Sequence, residues 1–109
     1  MRYEIAFGVD AAYVKYAGIV MTSIAAENTG EEIGFHLVCD GITDTDIERL
    51  QIFRSSFPRV DVHIYDARAA LDAIPFPDGI SRERINRSVF TRILMPALVP
   101  HTLTRILYL

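Results

Sequence analysis

The chain has 109 residues, of which 50% are hydrophobic and 23% charged, with a formal net charge of −3; this is the make-up of one ordinary globular domain with a single core. No stretch approaches the roughly 18 consecutive apolar residues of a membrane span, and Met1-Arg2-Tyr3-Glu4 lacks the apolar centre of a signal peptide, so a spanning or exported chain is not expected. The single cysteine, Cys39, excludes a disulfide framework and points to a reducing cytoplasm.

In chain order, Arg2 to Val9 alternates Tyr3, Ile5, Phe7 and Val9 with Glu4, Ala6 and Gly8, which predicts a strand. Tyr13, Tyr16, Ala17, Val20, Met21 and Ile24 follow at the spacing of one buried helical stripe. Asn28-Thr29-Gly30 is expected to end that helix, with Gly30 in the left-handed conformation. Ile33 to Cys39 is apolar enough for a strand buried on both faces, as in a parallel sheet, and Cys39 reads as a small core residue there. After an Asp40-Gly41 turn, Thr43-Asp44-Thr45-Asp46 resembles a capping box for a helix through Phe53. Val60, Val62 and Ile64 alternate with Asp61, His63 and Tyr65 in a third strand. A short helix over Ala67–Ala73, a loop over Pro75–Gly79 and a longer helix over Asn86–Leu98, with Phe90, Ile93, Leu94 and Ala97 inward, come next. Arg105 to Leu109 closes the chain as a strand.

Strand and helix alternate throughout, which predicts an α/β layer fold with a mostly parallel sheet. Ligands of such sheets bind at the carboxyl ends of the strands, where Asp10, Asp40 and Asp66 fall. Charge is uneven: residues 1–78 hold six basic and thirteen acidic side chains, whereas 79–109 hold Arg82, Arg84, Arg87, Arg92 and Arg105 against Glu83 alone. A basic last third fits an anionic ligand or a solvated helix face, and charge alone does not choose between them. Nucleic acid is not an expected partner, because the total is acidic and Phe90 is the one aromatic residue interleaved with these arginines.

Four segments, in order, resemble glycosyltransferase family 8. Ile5-Ala6-Phe7-Gly8-Val9-Asp10-Ala11-Ala12-Tyr13 is similar to the family's opening strand with its small residue, Asp and Tyr. Phe35-His36-Leu37-Val38-Cys39-Asp40-Gly41-Ile42-Thr43 is similar to its second strand and turn. Ser88-Val89-Phe90-Thr91-Arg92-Ile93 resembles an arginine-bearing helix, and Arg105-Ile106-Leu107-Tyr108-Leu109 the strand that leads into an Asp-x-Asp.

The resemblance implies a three-layer, Rossmann-like GT-A nucleotide-sugar-binding fold, here its N-terminal portion. It also implies a retaining hexosyltransferase with a UDP-glucose or UDP-galactose donor, a glycan or lipid-linked acceptor and Mn²⁺ as cofactor. Bacterial members often build lipopolysaccharide at the inner face of the cytoplasmic membrane. Carried over, Gly8 and Asp10 line the uridine site, Tyr13 stacks near the uracil, and Arg92 reaches the diphosphate or the sugar. Ala12 stands where a polar residue is common, and Arg84 and Asn86 stand where His and Ser often precede the arginine helix. The Asp-x-Asp expected after Leu109 is not in the sequence, so the metal ligands are expected to be missing, the chain to be a truncated domain without transfer activity, and its last strand to invite self-association.

Each of these residues has a plainer reading. Asp10 also suits a helix cap, Arg92 a surface arginine whose stem lies on apolar neighbours, and Tyr16 the core. His36 reads as a hydrogen-bonded core histidine, and His63 and His101 have no partner at useful spacing. The rival reading from another class is a non-catalytic α/β binding module, such as a receiver-like signalling domain. It would need a second acid beside Asp10 and a late lysine, yet Ala11 follows Asp10 and Lys15 is the only lysine.

Overall fold

The computed structural model describes residues 2–73, 91–100 and 105–109, the stretch 91–94 by its backbone alone. Four parallel strands, β1 (Arg2–Asp10), β2 (Glu32–Asp40), β3 (Val60–Asp66) and β4 (Leu107–Tyr108), form one sheet in the order β3-β2-β1-β4. The helices are α1 (Val14–Glu27), α2 (Asp44–Ser56), α3 (Arg68–Asp72) and α4 (Thr91–Leu98). The α/β parallel architecture expected from the alternation is therefore present. Registers are in step from Arg2↔Glu32 to Asp10↔Asp40 and from Ile33↔Val60 to Cys39↔Asp66.

Because strand side chains alternate between faces, the sheet divides two cores. Ile5, Phe7 and Val9 of β1 join Ile33, Phe35, Leu37 and Cys39 of β2 beneath α1 and α2. Ala6 and Val38 face the other way, toward Leu71, Met95 and Val99. Right-handed crossovers require this arrangement: stepping from β1 out to β3 places helices on one face, and returning to the far side of β1 places them on the other.

The buried stripe of α1 differs from the expected one. Val14, Ala17, Met21 and Ala25 are buried, with Ile24 partly so, while Tyr13, Tyr16 and Val20 are exposed. Small Ala17 and Ala25 let the helix lie close to the sheet, and a Tyr one position away from that line is rotated about 100° from it. Gly30 is not left-handed; the one glycine with positive φ among the described residues is Gly41, at 77° in the turn after β2. Asn28 ends α1 instead, its side-chain amide donating to the Ile24 carbonyl at 2.8 Å.

The capping box of α2 is formed. Thr43 Oγ1 accepts from Asp46 N at 3.2 Å, and Asp46 Oδ2 accepts from Thr43 N at 3.0 Å. In α4, Met95 is buried and Ala97 exposed, the reverse of the expected inward set as far as the described side chains go; Phe90 lies outside the described residues. The expected last strand is shortened to a two-residue ladder against Ile5 and Ala6. The loop expected over Pro75–Gly79 and the start of the helix expected from Asn86 lie outside the described residues.

A polar network ties the first three strands together on the face away from α1. Arg2 donates to both carboxylate oxygens of Asp61, at 3.1 and 2.8 Å, and to Glu4. Glu4 also bonds His36 Nε2, and His36 Nδ1 lies 2.8 Å from the Tyr65 hydroxyl. His36 is 2% exposed with both ring nitrogens engaged, so it is the hydrogen-bonded core histidine that its strand position suggests. His63 does have partners: it bonds Asp61 at 2.9 Å and stacks on His36 with centroids 4.9 Å apart. Strand alternation hid the pair, since Asp61 and His63 are two residues apart on one face.

Candidate functional site

The strand order reverses at β1: β2 and β3 lie to one side and β4 to the other. In an open parallel sheet this reversal parts the crossovers and leaves a crevice at the carboxyl ends of the strands. Gly8 and Asp10 lie at that end of β1, and Tyr13 immediately precedes α1. Gly8 is half-buried beside Val38 of β2, and alternation places Gly8 and Asp10 on the Ala6 face.

Asp10 shapes the turn into α1. Its Oδ1 accepts from the backbone N–H groups of Ala12 and Tyr13, each at 3.0 Å. Asp10 is therefore not the helix cap that its position suggests: the N-cap of α1 is Tyr13, with no side-chain cap, and the Asp10 carboxylate is instead held by the turn before the helix. Tyr13 is 55% exposed, its ring tilted against Tyr16 with centroids 6.2 Å apart. The helix therefore presents an aromatic surface beside the crevice in place of burying it. Arg92 falls in the first turn of α4, and that helix packs on β1 and β2; the Arg92 side chain lies outside the described residues, as do Arg84, Asn86 and Ser88.

The other two strand-end acids have different work. Asp66 accepts from Arg68 Nε and Nη2, the latter at 2.8 Å, and from Arg68 N at 3.0 Å. These hydrogen bonds hold its carboxyl down at about 2. Arg68 also passes over the turn after β2, its Cδ 3.9 Å from where a Cβ on Gly41 would stand. Sequence reasoning missed this arginine, because an i, i+2 pair in a strand-to-helix turn has no periodic signature. Next to Asp40, the Cys39 thiol is pushed up to about 12, first by burial and then by the charges of Asp66 and Asp46. Alkylation of Cys39 by iodoacetamide at pH 8 is therefore expected to be at least about a hundredfold slower in the native chain than in denaturant, as read by mass spectrometry; a rate within a factor of two of the denatured one would contradict the burial.

No group of three or more His, Cys, Asp or Glu able to hold a metal ion occurs among the described residues. An Asp-x-Asp does occur at Asp44-Thr45-Asp46, but it forms the first turn of α2, where Asp46 is committed to the capping box. The donor set among the described residues does not fit a Mn²⁺ site. No helix among the described residues is long and apolar enough to cross a membrane.

Residues 4–109 match the family described as glycosyl transferase family 8. The chain belongs to that family. Among curated proteins, none matches the chain. Solved structures do: the galactosyltransferase LgtC in complex with donor and acceptor sugar analogs superposes with a TM-score of 0.68 at 21% identity, covering 97% of this chain and 36% of LgtC. The apo structure of the bifunctional glycosyltransferase WbbM gives 0.69 at 17% identity, covering 89% of this chain and 16% of WbbM. An active-site mutant of LgtC gives 0.68 at 20% identity. At these identities the likeness shows the fold, the GT-A arrangement of a parallel sheet between helices. This family 8 chain spans about a third of LgtC, 36% of its length.

Proposed function

We propose that this chain supplies the donor-binding part of a retaining hexosyltransferase, holding the nucleotide of a UDP-sugar in the crevice at the carboxyl end of β1. The observation that carries the reading is the reversal of strand order at β1, in a family 8 chain whose Gly8 and Asp10 lie at the carboxyl end of that strand and whose Tyr13 precedes α1. In this reading Gly8, without a side chain, lets the base or ribose approach the backbone. The Asp10 carboxylate, anchored by two backbone N–H groups, accepts from the uracil imide or a ribose hydroxyl. The exposed Tyr13 ring offers a stacking surface, and Arg92 pairs with the diphosphate, for which a guanidinium fork is well suited.

These groups support binding. Transfer would further require charge neutralisation on the departing diphosphate, which in the family reading is the work of Mn²⁺ on acids outside this chain. A glycan or lipid-linked acceptor, glucose or galactose as the sugar, and assembly of lipopolysaccharide at the cytoplasmic side of the inner membrane belong to the same proposal for the longer protein.

Titration calorimetry of UDP into the purified chain tests the reading. Saturable binding that changes less than about threefold with Mn²⁺ is expected. Asp10→Asn keeps an oxygen acceptor for the turn while removing the charge, and is expected to weaken UDP about tenfold with an unchanged melting temperature. Binding that is equally strong in Asp10→Asn would remove Asp10 from the site; a folded chain with no heat of binding up to millimolar UDP would remove the half-site itself.

A further inference from the structure

We propose a second binding site, in the groove between α1 and α2, for a single-chain anionic amphiphile of which a fatty carboxylate is the simplest member. It lies beneath neither Gly8 nor Asp10 and does not rest on the donor reading. The groove encloses about 490 Å³, within the range of small-molecule sites, which are mainly apolar with a few placed polar groups. Val14, Ile19, Leu50 and Phe53 form its apolar walls, and Lys15 and Arg49 stand on it from the two helices.

Charge selects the occupant. Among the described residues neither Lys15 nor Arg49 forms an ion pair; Lys15 Nζ sits 5.1 Å from the centre of the Tyr16 ring. The one acid in the lining, Asp46, is already engaged by the backbone N–H and hydroxyl of Thr43. Two cations without an ion pair among the described residues, Lys15 and Arg49, outnumber the single acid Asp46 in the lining of this apolar trough, on a chain whose net charge is −3. An acyl chain would fill the trough while its carboxylate lay between Lys15 and Arg49, each cation keeping its head toward water.

One exposed apolar side chain of α1, Ile19, stands on the same face. Apolar residues run all round this helix, a pattern of helices covered on more than one side, yet Ile19 is 63% exposed. Gly18 lies in the lining at mid-helix, where glycine costs up to about 1 kcal/mol relative to alanine. Among the described residues no atom lies within 4 Å of where its Cβ would stand, so the groove wall is open at that point.

The test is calorimetric titration of dodecanoate, kept below its micellar range, against dodecyltrimethylammonium as the cationic counterpart. Saturable one-to-one binding of dodecanoate is expected, with the ammonium at least about tenfold weaker. Gly18→Leu, which fills open space, is expected to abolish it while leaving the UDP titration unchanged. Lys15→Glu combined with Arg49→Glu, both on exposed side chains, is expected to weaken it about tenfold or more, and serves alone if Gly18→Leu does not fold. Equal binding of the two head groups, binding unaffected by the charge reversal, or no saturable binding by the wild-type chain would overturn the proposal. Loss of UDP binding with dodecanoate binding intact would bear on the donor reading alone.

Discussion

Phe35→Ala is expected to lower the free energy of unfolding by about 3–5 kcal/mol, measured by urea denaturation followed by far-UV circular dichroism. Phe35 sits in a strand flanked by neighbours on both sides and is 0% exposed. Its ring meets Phe7 of β1 at 6.2 Å and Phe53 of α2 at 6.0 Å between centroids, both tilted. Truncation removes those aromatic contacts and leaves a void that close-packed neighbours fill only in part. Since a domain of this size is held by about 5–15 kcal/mol in total, the variant would be near the edge of folding. Ile52→Ala supplies the contrast: its side chain belongs to the same helix but is 66% exposed, so the change should stay within about 0.5 kcal/mol. A Phe35→Ala loss below about 1 kcal/mol would mean that α2 is not docked on the sheet as described.

Much of this architecture was legible because it rests on short-range rules. The seven apolar residues from Ile33 to Cys39 required burial on both faces, and β2 has it. Thr43 and Asp46 carried the capping box in their spacing, and the box is formed. The strand-end positions of Asp10, Asp40 and Asp66 followed from counting strands, and the structure ends β1, β2 and β3 at those residues. The family resemblance of Gly8-Val9-Asp10 and its companions stands on the match over residues 4–109.

What escaped the sequence depends on rotation or on distance. In α1 the apolar residues outnumber what one face can take, so periodicity placed Ala17 and Met21 inward correctly but took Tyr13, Tyr16 and Val20 with them in place of Val14 and Ala25. The rotation of the helix on the sheet decided between these neighbours. The placement of Arg68 over Gly41 joins α3 to the turn after β2, and no spacing in one chain announces that contact. At the candidate site the same limit applies: Asp10 was readable as a cap or as a ligand, and its two backbone hydrogen bonds hold the turn before α1 rather than cap the helix, leaving the ligand role to the UDP titration.

The network around Glu4 gives the second large effect, and it concerns why position 34 is glycine. A Cβ on Gly34 would stand 2.5 Å from Arg2 Nη2 and closer still to Glu4 Oε2. Arg2 is 39% exposed and can swing into solvent. Glu4, 11% exposed, is held by His36, which is 3% exposed in its side chain. Gly34→Ala must therefore push the carboxylate off a buried ring nitrogen, and a hydrogen bond to a charged group with a buried partner is worth about 1.5–3 kcal/mol. A loss of about 2 kcal/mol is expected, although alanine in a strand is otherwise the better residue by about 0.5–1 kcal/mol. Glu4→Ala alone should cost a similar amount, since it too leaves His36 Nε2 without its acceptor. In the Glu4→Ala background the obstacle is gone, so adding Gly34→Ala should be neutral or stabilising, giving a coupling of about 2 kcal/mol in a double-mutant cycle. If Gly34→Ala costs the same in both backgrounds, the glycine answers to something other than the close approach of Glu4. If the coupling appears, one missing side chain in β2 is what lets the β1 carboxylate cross to the buried histidine and lock three strands in register.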